Sequence, residues 1–202
     1  MQKHYQRWHT KEGMESKIRK QDRLRKVLEG TYAVDSECHI RYKGGCVPDP
    51  DKFCSRLDFH VVGITNAIVI VECDENEHND YVLRCELSRM EQAHEGVIKG
   101  QFAEMKAVKG EATAMATPLR PVVFVRYNPD CRMVDGVGEK RSRASKEADM
   151  MSVLSDIESG VLALPHPLNL VYVNYSTYHH KPVVSYDPDF SPQMRACIVQ
   201  VR

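Results

Sequence analysis

Residues 67–71 read Ala-Ile-Val-Ile-Val, and the chain then runs directly into Glu72, Asp74, Glu75 and Glu77. A short unbroken apolar run bounded by polar residues reads as a buried strand. A strand of that kind has to be covered by other elements, so the reading constrains the fold before anything else does. Residues 56–63, turning at Thr65-Asn66, supply a hairpin partner. Residues 119–127 (LRPVVFVRY) and 168–175 (LNLVYVNY) are two further buried strands. Helical spacing appears at 16–29, where Ile18, Leu24, Val27 and Leu28 precede a stop at Gly30. It recurs at about 81–95, with Leu83, Leu87 and Met90 on one side, and at 146–159. Residues 96–117 are rich in small side chains and fit either a continued helix or an excursion. Residues 37–54 read as irregular, and the tail from His179 holds several prolines and ends in an apolar run at 196–201. One parallel crossover, from 67–73 through the helix to 119–127, makes the expected class α/β, with a mixed β-sheet core flanked by helices.

At 202 residues the chain is long enough for one well-buried core, and we expect a basic helical arm over 1–30 followed by one domain over 31–202 with a C-terminal extension. A composition 42% apolar and 28% charged is that of an ordinary globular protein, and zero formal net charge gives no overall bias toward nucleic acid. No apolar run reaches the roughly 20 residues that cross a bilayer, and residues 1–13 lack an apolar signal core, so an intracellular site, nucleus or cytoplasm, is expected. Seven cysteines, an odd number without tight pairing, favour reduced thiols. Cys38, Cys46 and Cys54 with nearby His39 have the residue types of a zinc site but not the paired spacing, and structural zinc is not expected.

Charge is unevenly spread. Residues 1–30 carry nine lysines and arginines, among them Lys17, Arg19, Lys20 and Arg23, against four acids, and Lys140, Arg141 and Arg143, with Lys146, form a second basic cluster. Such runs are commonly solvated faces. Two of them in a charge-balanced chain are also the footprint of a phosphate-backbone contact, so we take the named residues as candidate DNA contacts.

The acids after the strand raise the chemical question. Glu72 and Asp74, two apart, project from one face, and a hairpin closed at Thr65-Asn66 brings Asp58 near Glu72 across the strands. Three carboxylates packed at a strand end repel one another, and a divalent cation relieves the repulsion. Oxygen ligands suit Mg²⁺ or Mn²⁺. His78, four residues past Asp74, is placed to deprotonate a water. The plainer reading is that these acids are solvated or paired with Arg84, Arg89 or the basic arm.

Asp58-Phe59, then VIVECDENEHND, CELSRM at 85–90 and PVVFVRYNPD at 121–130, in that order, resemble a branch of the PD-(D/E)XK restriction-endonuclease-like superfamily. The branch holds very-short-patch repair endonucleases and related homing nucleases. The resemblance spans roughly 56–130 and implies a metal-dependent phosphodiesterase with a mixed sheet flanked by helices. It makes Asp58 and Glu72 the motif's acids, with Asp74 where the wider superfamily has lysine and His78 as general base or water-positioning group. It also makes Arg89, near Glu86, a group that stabilises phosphate charge or orients Glu72, and lets Arg126 and Asn128 line the same cleft. The metal ligands it implies are Asp58, Glu72 and Asp74.

The expected activity is therefore that of a Mg²⁺-dependent DNA endonuclease on double-stranded DNA, site-specific and of the homing or mobile-element kind, acting alone or as a homodimer. The alternatives are a DNA-binding module that keeps the fold without cleaving, a mismatch-repair nickase, or an enzyme of RNA. Residues 99–117 and 174–189, the latter with Tyr175, Tyr178, His179 and His180, are candidates to reach a groove.

Overall fold

The computed structural model describes residues 11–41, 54–78 and 82–199, with the side chains of 11–19, 41, 54 and 78 outside that description. Helix α1 (Lys11–Glu29) leads into strands β1 (Ala33–Arg41), β2 (Cys54–Val62) and β3 (Ile68–Cys73), and a 3₁₀ turn (Glu75–His78) follows. Then come α2 (Leu83–Lys109), α3 (Glu111–Ala116), β4 (Val122–Tyr127), β5 (Arg132–Val134), β6 (Val137–Glu139), α4 (Arg143–Glu158) and β7 (Leu168–Val173). The chain continues through β8 (Thr177–Tyr178), β9 (Lys181–Pro182), a second 3₁₀ turn (Val183–Tyr186) and α5 (Pro192–Ala196).

The main sheet has five strands in the order β1-β2-β3-β4-β7, antiparallel from β1 to β3 and parallel from β3 to β7. Period-two alternation sorts the side chains of its central strands onto two faces. Val69, Val71, Val123, Val125, Val171 and Val173 meet Leu24 and Leu28 of α1 and Met150, Val153, Leu154 and Ile157 of α4. Ile68, Ile70, Val122, Phe124 and Leu170 meet Leu87, Met90, Ala93 and Val97 of α2, and Phe190 and Met194 close that side. Every residue of β3 and β4 is buried, as continuous apolar runs require. The mixed α/β sheet is therefore present, and so is the crossover from β3 through α2 to β4, registered Ile68↔Val122. The next crossover, from β4 through α4 to β7, steps the same way but roofs the opposite face. The two crossovers are thus of opposite hand, and one is the uncommon left-handed kind.

Of the two readings open for residues 96–117, the continued helix holds as far as Lys109, because Gly96 and Gly100 are tolerated inside it and the break comes at Gly110, with φ 79. Three further features have physical causes. Residues 33–41 form a strand whose polar Asp35, Ser36 and Glu37 are exposed; an edge strand of this kind lacks the apolar signal used to find the others. The tail pairs along the outer side of β7, with Leu170 N–H donating to Cys197 O at 2.8 Å and Val199 N–H to Leu170 O at 2.9 Å, which covers a sheet edge. The basic arm is not free along its length, since Leu24 and Leu28 lie in the core. Strands β6-β5-β8-β9 make a second, smaller sheet at the carboxyl end of the main one.

Candidate active site

Strand β2 changes face at Asp58. Leu57 packs with the α2 layer and Phe59 with the α1 layer, whereas residues two apart in a regular strand share a face. Opposite Asp58 on β1 lies Glu37, at φ 53. The β2–β3 ladder stops at Phe59↔Val71, and beyond it the Asp58 carboxylate serves as acceptor. Its Oδ2 accepts from Cys73 N–H at 2.9 Å and its Oδ1 from Gln21 Nε2 of α1 at 2.8 Å. Asp58 is thus brought beside the end of β3, as the hairpin register implies, through a side-chain bond in place of a ladder bond.

Glu72, the penultimate residue of β3, is 3% exposed. Its Oε2 accepts from Arg89 Nη2 of α2 at 3.2 Å, and its Oε1 is buried with no hydrogen-bond partner among the described residues. Burial pushes its pKa up to about 7; Arg89 opposes that rise, while Asp58 and Asp74 add to it. The mutual repulsion of the three acids expected from the sequence is therefore present, and it falls on Glu72.

Asp74 is fully buried, and its Oδ2 is held by Arg126 Nε of β4 and by the Tyr175 hydroxyl. Arg126 also donates to Glu86 Oε2 at 2.9 Å, and Arg89 lies 3.6 Å from the same oxygen. Two guanidiniums and three carboxylates thus interlock at the carboxyl ends of β3 and β4. Burial works against the charge on Arg126, but Asp74, Tyr175 and Glu86 outweigh it and hold its pKa well above the usual value. Burial first, then the Asp74 charge, pushes the Tyr175 phenol far up, so it stays a donor. Among the described residues no three His, Cys, Asp or Glu side chains surround a common point. The structure gathers Asp58, Glu72 and Asp74 at one sheet end without making them a single cage. His78 ends the 3₁₀ turn that follows, and its side chain lies outside the described residues.

The loop carrying these acids is strained and clamped. Asn76 and Glu77 are left-handed, at φ 52 and 59, a conformation few side chains adopt without support. Asn76 N–H donates to Asp130 Oδ2 at 3.0 Å, and Glu77 Oε1 accepts from Ser176 N–H at 2.8 Å and Ser176 Oγ at 2.5 Å. Asn128 and Asn174 brace the far side reciprocally, each donating its side-chain amide to the other's carbonyl, at 3.1 and 2.6 Å. The resemblance implies a cleft-lining place for Asn128, whereas Asn174, Asp130, Gln21 and Ser176 carry no such signal of their own. The Asn128-Pro129-Asp130 run, a strong turn signal directly after a buried strand, was the available clue.

The basic candidates divide. Lys20 Nζ reaches both Asp130 oxygens at 2.7 and 2.8 Å, and Arg23 pairs with Glu147 of α4. Arg141 is held by Asp149 and by Ser145 Oγ at 2.6 Å, while Lys140 and Arg143 are exposed. Lys146, counted with the second cluster, is only 6% exposed and donates to the Pro129 and Asp130 carbonyls at 2.6 and 2.9 Å; it is a brace for the site loop, unavailable to phosphate. Lys20, Arg23 and Arg143 nevertheless meet around one cleft of about 300 Å³ floored by Leu24, Tyr127 and Pro129, so the arm and the second cluster converge between α1 and α4. The Lys17 and Arg19 side chains, Cys46 and the Cys54 side chain lie outside the described residues. The Cys38 thiol is half-buried, and burial and Asp35 raise its pKa. Among the described residues no helix is long and apolar enough to cross a membrane. Searches against protein-family models, curated proteins and solved structures returned no match.

Proposed function

We propose that the chain is a metal-dependent endodeoxyribonuclease that hydrolyses phosphodiester bonds in double-stranded DNA, site-specific and of the homing or mobile-element kind. The observation that carries the reading is Glu72: a buried carboxylate with one unpartnered oxygen, whose pKa is pushed up to about 7 first by burial and then by Asp58 and Asp74, against the pull of Arg89. Such a group takes a cation readily. The mixed sheet roofed by helices on both faces is the core that the restriction-endonuclease-like resemblance implies, and it supports the same reading.

The residues fit Mg²⁺ or Mn²⁺, which need only one or two carboxylates and complete their shells with water and phosphate oxygens. Asp58 and Glu72 would hold the ion, with Asp74 within the same charge cluster but bound by Arg126 and Tyr175. When bound, the ion supplies an acidified water and neutralises phosphate oxygen. Arg89 holds Glu72 in place and brings positive charge to the site. His78 is proposed as the group that accepts the water's proton, a role worth roughly 10²–10⁴-fold in rate. Lys20, Arg23, Arg143 and Lys140 contact the duplex backbone and position it without reading sequence.

A second reading is a DNA-binding module of the same fold that does not cleave, and the engagement of Asp74 by Arg126 favours it. Supercoiled plasmid incubated with and without Mg²⁺ or Mn²⁺ separates the two. Nicking that needs metal and is lost in Asp58→Ala and Glu72→Ala supports the nuclease; tight, salt-sensitive binding without nicking supports the module. Competition by duplex RNA tests the alternative substrate. Metal binding at Glu72 also displaces its proton, so calorimetric titration with Mg²⁺ at pH 6.5 in two buffers should register proton release in the wild type and not in Glu72→Gln.

A further inference from the structure

The small sheet ends in two hairpins side by side, each with a two-residue tip. In one, Val134↔Val137 closes over Asp135 and Gly136, at φ 48 and 82. In the other, Tyr178↔Lys181 closes over His179 and His180, at φ 46 and 62. Positive φ at both tip positions is the type I′ turn, which strongly prefers Asn-Gly or Asp-Gly. The first tip obeys that preference. The second puts histidine, a residue type enriched at positive φ beside Asn and Asp, at both positions and forgoes the glycine that the turn prefers.

Packing explains little of the choice. The His179 ring lies 4.2 Å from that of Tyr178, and its N–H donates to Asp135 Oδ1 at 2.8 Å, a backbone bond that any residue would make. His180 has no hydrogen bond, ion pair or ring contact among the described residues. Both histidines, Tyr178 and Lys181 are exposed. An uncommon turn pair kept at an exposed tip, with no side-chain hydrogen bond or ion pair to either imidazole among the described residues and only the Tyr178 ring beside one of them, points to a use outside the fold.

The hairpin is rigidly tied to the candidate active site. Tyr175 binds Asp74, and Ser176 binds Glu77 through both its N–H and its hydroxyl, within the three residues that lead into Tyr178. Tyr186 packs edge-on against Tyr178, with ring centroids 6.0 Å apart, and its hydroxyl donates to Tyr178 O at 3.0 Å. We propose that this hairpin enters the major groove of the duplex beside the cleavage site and that His179 and His180 contact base edges, making them the residues that determine sequence preference. The major groove admits a two-stranded ribbon. A neutral imidazole carries one donor and one acceptor, able to meet a purine N7 or an exocyclic amine. Lys181 on the hairpin and Lys140 at the far edge of the same sheet are exposed cations suited to the flanking phosphates.

The inference rests on the DNA-binding reading above but not on cleavage, so it is tested in EDTA. The full-length chain and His179→Asn/His180→Gly, which installs the preferred turn pair, are each used to select from a duplex library with a randomised centre. The wild type should enrich a motif. The variant should lose part of it and bind the enriched duplex about 10- to 100-fold more weakly, the range for one or two lost base contacts, while binding plasmid DNA nearly as before and melting at a higher temperature. The idea is overturned by a wild type that enriches no motif, by a variant that enriches the same one, or by a variant that melts lower, which would make the histidines structural. Retained selectivity with no nicking in Mg²⁺ would sink the nuclease reading and leave this one standing.

Discussion

Arg126 and Arg23 both face carboxylates, yet 4% of the Arg126 side chain is exposed and 48% of the Arg23 side chain is. Arg126 is wedged between Asp74 and Glu86 with Tyr175 completing the set, where removing one member leaves charges that water cannot reach. Arg23 meets Glu147 at the lip of an open cleft, where water replaces a lost partner. Identical chemistry at two depths therefore has two uses. The buried set fixes one geometry for the acids at the end of β3, and the surface set keeps its cations available to exchange one anion for another.

The sharpest way to break that contrast is Arg126→Ala. It leaves Asp74 and Glu86 buried without their guanidinium, and truncating one partner of a buried charge network costs about 3–5 kcal/mol. Urea unfolding near pH 7 should show the loss, and Arg126→Lys should recover little of it, because one ammonium cannot reproduce a guanidinium's fork between two carboxylates. A loss below about 1 kcal/mol would mean that the network behaves like a surface pair.

A smaller and opposite effect is expected at Glu72. Its folded pKa, raised to about 7, lies above the value of an unfolded glutamate. Between those two values the folded chain binds more protons than the unfolded one, so stability falls as pH rises through this window and the penalty is complete above pH 7. Glu72→Gln removes the penalty: it should match the wild type near pH 4 and exceed it by up to about 3 kcal/mol at pH 8, while losing metal-dependent nicking. Urea midpoints at the two pH values check the stability half. Equal midpoints at pH 8 would show that Arg89 fully compensates the carboxylate, placing Glu72 in the same class as the surface pairs.

What could be read beforehand follows the same division by depth. The apolar runs at β3, β4 and β7 announced themselves because strands buried on both faces leave no room for polar alternation, and the helices that roof them followed from periodicity. Strand β1 and the small sheet were missed, since an exposed edge and strands of two or three residues are held by pairing rather than by hydrophobic pattern. At the site, Asp58, Glu72 and Asp74 were legible as a group because strand geometry alone brings them near one another. Their partners were harder to find. That Arg126 would take Asp74, that Tyr175 would complete the set, and that Lys146 would turn inward depends on crossovers joining residues 52, 101 and 16 positions apart. Local pattern carries no record of such meetings.

The smallest expected change in stability tests the surface half of the comparison. Lys20 is 31% exposed and grips Asp130, which keeps its Asn76 N–H contact if the lysine is removed. The pair is half-buried yet open to solvent, so Lys20→Met should shift stability by about 1 kcal/mol or less, near the upper end of what solvent-reached pairs contribute. Its effect on duplex binding should be larger in kind: one lost phosphate contact lowers the slope of log affinity against log salt by about 0.9. Measuring affinity for one duplex across a range of salt concentrations separates the two effects. An unchanged slope with reduced stability would show that Lys20 serves only to pin α1 to the loop at Asp130, and the cleft between α1 and α4 would lose its claim to the phosphate backbone.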